Sequence, residues 1–309
     1  MRVLLVSSGK KGKVSELIRN QGDSLIKAGV DVDYFILKSG FTGYFSGIFE
    51  IRKSYKKGRF DLIHAHYSYS AFASSLAGNF PVLASLMGSD AYKPVLVKLL
   101  TRFFYLFRWK KTIVKTSNMQ SILRMNKSEV VPNGVDINRF MPIPKNVART
   151  KIGFSLTRKL IVFVSDPSRR EKNYKLALLA VKALNMDDLE IMPVYNLPNN
   201  EIPYYLNAAD VLLLTSIREG SVNVVKEAMA CNVPVVSTDV GDVKENAKDL
   251  PGCFICDSNP ESLANGLRKA ISLPYSTSSR DRILELRFDS ETIAKRIISI
   301  YNDVISNGN

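Results

Sequence analysis

The stretch that decides the fold is "DVLLLTSIREGSVNVVKEAMACNVPVVST", residues 210–238. It begins with an apolar run rich in Leu and Val, which is typical of a strand buried on both faces. A turn containing Gly220 follows, then apolar residues at helical spacing up to Ala230, and then a second buried run, "PVVST". A strand, a helix and a strand in this order predict one βαβ unit of a parallel sheet.

The same alternation continues on both sides of this stretch, in two series. Six short apolar runs alternate with helical patterns from "RVLLVSS", residues 2–8, to "EVVPNG", residues 129–134. A second series opens with "KLIVFVS", residues 159–165, after a segment with two prolines, residues 139–153, which we interpret as a linker. The sequence therefore predicts an α/β protein with two Rossmann-like domains.

The predicted domains are of similar size, and their boundaries follow from the linker. The first covers residues 1–145 and the second residues 146–288, while a C-terminal helix, residues 289–309, is predicted to pack back on the first domain. Ligands of open α/β sheets bind beyond the carboxyl ends of the strands. We therefore expect both domains to present their loops to an interdomain cleft.

Composition and charge exclude several classes of protein. Hydrophobic residues make up 46% of the 309 residues, and no apolar run reaches the roughly 18 residues needed to cross a bilayer. The start, "MRVLLVSSG", resembles a buried strand rather than a signal peptide. Of the three cysteines, Cys253 and Cys256 have CxxC spacing but no second pair, so structural thiols in a cytoplasmic protein are expected rather than a zinc site.

The formal charge of +14 predicts anionic partners. Residues 44–60 and 95–115 combine aromatic side chains with clustered Lys and Arg, which fits a peripheral contact with an anionic membrane surface at the inner face of the cell membrane. The alternative is that residues 95–109 form a core helix and the basic residues a solvated rim. Nucleic acid is not predicted as a partner, because the basic residues follow no recognised binding module.

Two acids, Glu219 and Glu227, stand at the predicted turn and on the helix after it. The first turn of a helix exposes free N–H groups at the positive end of its dipole, and phosphate binds well there. Two carboxylates beside a phosphate site suit a nucleotide sugar, because one can accept hydrogen bonds from hydroxyls of the sugar and the other from those of the ribose. The alternative is a helix with a charged start and a solvated Glu227.

Two longer stretches carry a resemblance to a known family: "VVPNGVDINRFMP", residues 130–142, and "NAADVLLLTSIREGSVNVVKEAMACNVPVVSTDVGDVKE", residues 207–245. The pattern E-x7-E, followed by A-M-A, a "PVV" strand and a glycine turn, resembles the large retaining family of GT-B glycosyltransferases that includes sucrose synthase. The likeness is clearest over residues 129–250 and weaker in the first half. It implies the GT-B fold, with an acceptor-binding first domain and a nucleotide-sugar-binding second domain.

The resemblance implies roles for residues of the second domain. Glu219 would bind hydroxyls of the donor sugar and Glu227 those of the ribose. Lys172 matches a lysine that grips the diphosphate, with Arg169 or Arg170 in the role of an arginine whose usual place is taken by Ser165 and Asp166. The backbone amides that would hold the diphosphate or the sugar belong to Gly220, Ser221, Val222 and Asn223.

In the first domain the resemblance is weaker. "GKKG", residues 9–12, is similar to a loop that approaches the donor or acceptor, so Gly12 is a candidate contact. "HAH" places His66 on the acceptor side, with His64 as a core residue on the same face of the strand. In "SLMGSD", Met87 replaces a histidine common among relatives, whereas Ser89 and Asp90 remain as acceptor-side candidates.

The implied activity is that of a retaining, metal-independent hexosyltransferase without a cofactor. The donor would be a UDP- or GDP-linked sugar, and the acceptor a hydroxyl of a glycan or lipid-linked glycan in cell-surface polysaccharide synthesis. No D-x-D motif stands in a suitable loop, so no metal ligand is predicted. A non-catalytic nucleotide-sugar or glycan-binding protein of the same fold is the alternative, and a hydrolase or epimerase is a third reading.

Overall fold

The computed structural model describes residues 1–9, 12–38, 40–273 and 278–306. The chain forms two compact units, described here one at a time. The first unit contains residues 1–134 and the final helix, and the second runs from Val135 to Asp289. The division after Gly134 lies eleven residues before the predicted boundary at 145.

The first unit is built on a parallel sheet in the strand order β2-β1-β3-β4-β5-β6. Its strands are β1 (Arg2–Ser8), β2 (Asp31–Leu37), β3 (Leu62–His66), β4 (Val82–Ser85), β5 (Lys111–Val114) and β6 (Glu129–Val130). The helices between them are α1 (Glu16–Lys27), α2 (Phe41–Gly58), α3 (Ser68–Leu76), α4 (Val95–Phe107) and α5 (Ser117–Leu123). One core cluster packs α2 to α5 against the sheet, and another covers the opposite side with α1.

The second unit has the same design, with strand order β11-β10-β9-β7-β8 and parallel pairing. Its strands are β7 (Lys159–Phe163), β8 (Leu189–Pro193), β9 (Val211–Leu214), β10 (Val235–Thr238) and β11 (Cys253–Cys256). Its helices are α6 (Lys145–Ile152), α7 (Tyr174–Lys182), α8 (Ile202–Ala208), α9 (Asn223–Ala230), α10 (Val243–Ala247), α11 (Pro260–Ser272) and α12 (Ser279–Glu285). The predicted βαβ unit is therefore β9-α9-β10.

The interpretation of residues 139–153 as a linker was wrong, because α6 lies inside this segment. Pro144 directly precedes the first turn, where the fixed backbone of proline suits a helix start. Ala148 and Arg149 are buried, and the Arg149 guanidinium donates to Asp210 at 2.8 Å and to the Ala208 carbonyl at 3.0 Å. These contacts place the segment in the second unit.

The last helix, α13 (Ser290–Ser306), packs on the first unit. Ile293, Ile297 and Tyr301 share a core cluster with Val3 and Leu5 of β1. Tyr301 is fully buried, and its hydroxyl lies 2.7 Å from His64 Nδ1 on β3. This helix covers the same side of the sheet as α1.

Both sheets follow one topology. In each unit the second strand lies on one side of the first, and the remaining strands follow in order on its other side. The strands remain parallel, but the side of the sheet on which successive strands are added changes between β1 and β3 in the first unit and between β7 and β9 in the second. Such a switch point opens a crevice at the carboxyl ends of the two strands, where ligands of α/β proteins bind.

Within the described residues, no helix has both the length and the apolar character needed to cross a membrane.

Candidate functional site

Three loops of the second unit leave the carboxyl ends of neighbouring strands. They follow β7, β9 and β10 and cover residues 164–173, 215–222 and 239–242. We call them the loop cluster. The first two flank the switch point of this sheet, so the loop cluster lies where the topology favours a ligand.

An ion pair joins the two loops that flank the switch point. Lys172 Nζ lies 2.5 Å from Glu219 Oε1, and Ser216 Oγ donates to the same oxygen at 2.7 Å. Both charged side chains are largely buried, with 13% of Lys172 and 18% of Glu219 exposed. Glu219 Oε2 accepts no hydrogen bond within the described part of the chain, so the carboxylate keeps one free acceptor.

Hydroxyl and backbone contacts hold these loops together around the ion pair. Thr215 Oγ1 donates to the carbonyls of Lys172 and Asn173, each at 3.0 Å. The Ile217 amide donates to the Glu171 carbonyl at 2.9 Å, and Thr238 Oγ1 donates to the Ser216 carbonyl at 2.8 Å. The loop cluster is thus ordered by its own contacts.

One of the four amides predicted for phosphate is already occupied. The Val222 N–H donates to Asp242 Oδ1 at 2.8 Å, because the loop after β10 brings this carboxylate against the start of α9. The assignment of Val222 to phosphate is therefore corrected. A side-chain carboxylate takes the helix N-terminal position, which is a common alternative to a bound anion.

A buried lysine lies beneath the same turn. Lys226 is fully buried, with Nζ 2.5 Å from Ser221 Oγ and 3.8 Å from Asp242 Oδ2. Burial lowers the pKa of Lys226, and the charges of Asp242 and Glu227 oppose this shift. Lys226 and Asp242 therefore hold Ser221 and Val222 from the buried side of the turn, through Ser221 Oγ and the Val222 amide.

Gly220 and Ser221 keep their amides free. Their N–H groups donate no hydrogen bond within the described part of the chain, whereas Asn223 has a partner. Gly241 packs on this turn so closely that a Cβ would lie 2.1 Å from the Gly220 carbonyl oxygen, and its φ of +60° also favours glycine. The close approach fixes the backbone of Gly220 and Ser221 at the loop cluster.

Glu227 lies in the second turn of α9 and is partly buried. Burial raises the pKa of this carboxyl to about 7, and the positive charges of Lys226 and Arg139 limit the rise. The carboxyl thus changes charge near neutral pH, unlike an ordinary surface glutamate.

The two candidate arginines differ in their surroundings. The Arg169 guanidinium is exposed and donates to Glu171 Oε1 through Nε at 2.9 Å and Nη2 at 2.7 Å. Arg170 is exposed and makes no side-chain hydrogen bond or ion pair within the described residues. Arg170 is therefore the better candidate for an incoming anion.

In the first unit, the predicted acceptor contact of His66 needs correction. His64 and His66 do lie on one face of β3, with ring centroids 4.4 Å apart, but both are fully buried. His66 Nε2 lies 3.2 Å from Gln21 Oε1 on α1, and Nδ1 has no hydrogen-bond partner among the described residues. Burial lowers the pKa of His66 to about 3, so the ring is neutral and lies beneath α1 rather than at the surface.

Asp90 is also buried, and both of its carboxyl oxygens accept hydrogen bonds from within the protein. They accept from the Ser68 amide at 3.1 Å, from Ser68 Oγ at 2.8 Å and from the Met87 amide at 2.7 Å. The carboxylate therefore joins the start of α3 to the turn after β4, instead of reaching a ligand. Of the three predicted acceptor-side residues, Ser89 is exposed.

Gly12 follows β1 at the switch point of the first sheet and has a φ of +72°. A side chain there would meet nothing within 4 Å, so the glycine is explained by its backbone conformation rather than by a close approach. Lys10 and Lys11 of "GKKG" lie outside the described residues.

Three residues in or next to the loop cluster were not predicted from the sequence: Ser216, Lys226 and Asp242. The signal for Asp242 was present, because "DVGD" follows a buried strand at its carboxyl end. Lys226 carried no such signal, because a lysine on a helix is usually solvated and only the fold shows that this one is buried.

Two family models match successive parts of the chain. The model described as "Glycosyltransferase Family 4" matches residues 3–139, and the one described as "Glycosyl transferases group 1" matches residues 160–272. The first match falls mainly on the first unit, and the second contains the loop cluster.

Individual proteins are similar over most of the chain. A Bacillus subtilis protein assigned to teichuronic acid biosynthesis as the glycosyltransferase TuaC is 26% identical over 276 residues, which cover 79% of this chain and 71% of that protein. The structure of sucrose-phosphate synthase from Thermosynechococcus elongatus has a TM-score of 0.77 at 18% identity and covers 99% of both chains. Anabaena HepE, solved in complex with UDP-glucose, has a TM-score of 0.74 at 18% identity and covers 98% of this chain and 99% of its own. The two structures show that the fold is shared.

Proposed function

Because the chain is a glycosyltransferase with the GT-B fold, we propose that it moves a hexose from a nucleoside diphosphate sugar to a hydroxyl of a glycan or lipid-linked glycan. Transfer proceeds with retention of anomeric configuration and without a metal ion. The observation that carries the proposal is the Lys172–Glu219 ion pair, which spans the switch point of the second sheet.

The loop cluster offers complementary groups for the two parts of such a donor. Lys172, Arg170 and the free amides of Gly220 and Ser221 supply positive charge and N–H donors for the diphosphate. As the bond to the sugar breaks, negative charge develops on the departing phosphate oxygen, and these groups stabilise it. The free Oε2 of Glu219 accepts hydrogen bonds from hydroxyls of the transferred sugar.

Glu227 is assigned to the ribose hydroxyls. Two neighbouring hydroxyls can donate to one carboxylate, and Glu227 is partly buried on the helix that starts at the loop cluster. Arg169 is assigned to holding the loop beside the diphosphate, because its guanidinium contacts Glu171.

The identity of the donor and acceptor is drawn from similar proteins. HepE was solved with UDP-glucose, which favours UDP over GDP as the nucleotide here. TuaC is assigned to teichuronic acid biosynthesis, which supports a role in cell-surface polysaccharide synthesis. On the acceptor side we keep Ser89 as a direct contact, while Asp90 holds the turn around it by accepting from the Met87 amide.

The test is release of nucleoside diphosphate from a panel of UDP- and GDP-sugars, with and without glycan acceptors. We expect Glu219→Gln and Lys172→Met each to lower kcat by about 10²–10³-fold, because each removes a group that acts on the reacting centre. Glu190→Gln is the matched control. Glu190 lies on β8 of the same unit, and its substitution removes only an exposed ion pair with Arg158, so activity should stay unchanged.

The same assay separates the enzyme from its alternative. A non-catalytic binding protein would hold UDP or GDP tightly and release no diphosphate from any donor in the panel, which would overturn the proposal. Retention is tested by the anomeric configuration of the product in its NMR spectrum. Metal independence is tested by adding a chelator, which should leave the rate of nucleoside diphosphate release unchanged.

A further inference from the structure

Helix α4 of the first unit turns large apolar side chains outward. Thr101 and Phe104 are its buried residues, whereas seven large apolar side chains are 44–77% exposed. These seven are Val95, Leu96, Leu99, Leu100, Phe103, Leu106 and Phe107. At 3.6 residues per turn they occupy an arc of about 140°. In an ordinary surface helix such an arc is polar, so this face of α4 requires an explanation.

Helix α2, which like α4 packs on α3, carries further exposed aromatic rings. Phe45 and Phe49 are 59% and 62% exposed, and their rings meet edge to face with centroids 5.8 Å apart. Helices α2, α3 and α4 contribute to one core cluster on the same side of the sheet. We call Phe45, Phe49 and the seven side chains of α4 the outer apolar surface.

Basic residues border this surface. Lys98 and Arg102 lie one turn apart on α4, next to the apolar arc, and residues 91–111 contain no Asp or Glu. On α2, one acid accompanies four exposed or partly exposed basic residues after the exposed rings: Arg52, Lys53, Lys56 and Lys57. An apolar face with a positively charged border complements the interface of an anionic bilayer, where apolar side chains enter the acyl boundary and cations meet the headgroups.

We propose that the outer apolar surface docks on an anionic lipid bilayer, with α4 lying in the plane of the headgroups. A second copy of the chain is the less favourable occupant. In a two-fold dimer the same patch meets itself, and residues 91–111 offer no Asp or Glu that could pair with Lys98 and Arg102 of the other copy. The proposal does not depend on the sugar-transfer reaction.

The experiment is flotation of the full chain with vesicles of phosphatidylcholine, alone or mixed with phosphatidylglycerol. We expect binding to the mixed vesicles that weakens with added salt. The triple substitution Leu96→Ser, Phe103→Ser, Phe107→Ser and the double substitution Lys98→Glu, Arg102→Glu should each lower the partition coefficient more than tenfold. The matched control is Leu178→Ser with Leu179→Ser on α7, two side chains that are each 45% exposed.

Two further measurements keep the result interpretable. Trp109, the only tryptophan, packs on Phe104 beneath α4, so unchanged fluorescence shows that a variant keeps the local fold. Sedimentation velocity without vesicles reports self-association. The proposal is overturned if the wild type fails to float with mixed vesicles, or if the α7 control loses as much binding as the α4 variants. A dimer that disappears in the triple variant, with lipid binding unchanged, would identify a second copy as the occupant.

Discussion

At the scale of single residues, two glutamates eight positions apart have opposite surroundings. Glu219 Oε1 accepts hydrogen bonds from the Lys172 ammonium and from the Ser216 hydroxyl. The Glu227 carboxyl makes no hydrogen bond or ion pair with the described residues, and burial raises its pKa to about 7. The E-x7-E spacing alone does not distinguish these two environments.

The raised pKa of Glu227 predicts a pH dependence of stability. The folded state retains the proton up to about pH 7, whereas the unfolded chain loses it near 4.5, so this carboxyl contributes less stability as pH rises between the two values. Relative to Glu227→Gln, the wild type should lose on the order of 2 kcal/mol of unfolding free energy across this range. Urea unfolding of both proteins at several pH values measures the difference, and parallel curves would contradict the assignment.

At the scale of elements, the loop cluster depends on how closely the turn after β10 approaches the start of α9. Gly241 makes this approach possible, and Asp242 and Lys226 complete it with hydrogen bonds and charge. The geometry of the candidate donor site is therefore set partly by residues that do not face a ligand.

Replacing Gly241 by Ala tests this dependence against a matched glycine. Gly153, at the end of α6, also has positive φ (+70°), but a Cβ there meets nothing within 4 Å. Gly153→Ala should cost about 1 kcal/mol of stability, for the left-handed backbone alone. Gly241→Ala should cost about 2–4 kcal/mol, because the Gly220 backbone must also move.

Thermal or urea unfolding gives the two losses of stability, and calorimetry with UDP or GDP gives the effect on the loop cluster. We expect Gly241→Ala to weaken nucleotide binding and Gly153→Ala to leave it unchanged. Equal effects of the two substitutions would show that close packing at Gly241 is unimportant.

At the scale of the whole molecule, two sheets of one topology are made from successive parts of the chain, and the last helix belongs to the first of them. Helix α13 completes the core that β1, β3 and α1 begin. The Tyr301 hydroxyl on α13 makes a buried hydrogen bond with His64 on β3, which links this helix to the central part of the sheet.

This tie can be tested with two tyrosines of the same unit. Tyr301→Phe leaves His64 Nδ1 without its partner and should lower the unfolding free energy by about 1–3 kcal/mol. Within the part of the chain that the structure describes, the buried Tyr34 hydroxyl has no hydrogen-bond partner, so Tyr34→Phe should be neutral or slightly stabilising. Urea unfolding monitored by circular dichroism gives the unfolding free energy of each variant. An unchanged value for Tyr301→Phe would show that the hydrogen bond from Tyr301 to His64 does not stabilise the packing of α13 on the sheet.

The sequence by itself determined the α/β class, the βαβ unit at residues 210–238 and most of the strands, because buried parallel strands and amphipathic helices leave local periodic patterns. It also placed Glu219 at the turn after a buried strand, while Lys172 was identified from the family resemblance. It misjudged α6, where prolines that mark a helix start were interpreted as a linker, and it missed α12 at Ser279–Glu285.

The tertiary structure alone decided which groups are free to meet a ligand. Asp242 takes the Val222 amide from twenty positions away, and His66 and Asp90 lie beneath other elements instead of at the surface. It also showed that the apolar arc of α4 faces outward, which a helical pattern cannot tell from a core-facing arc. Burial and hydrogen-bond partners depend on residues brought together by folding, and local spacing carries no record of them.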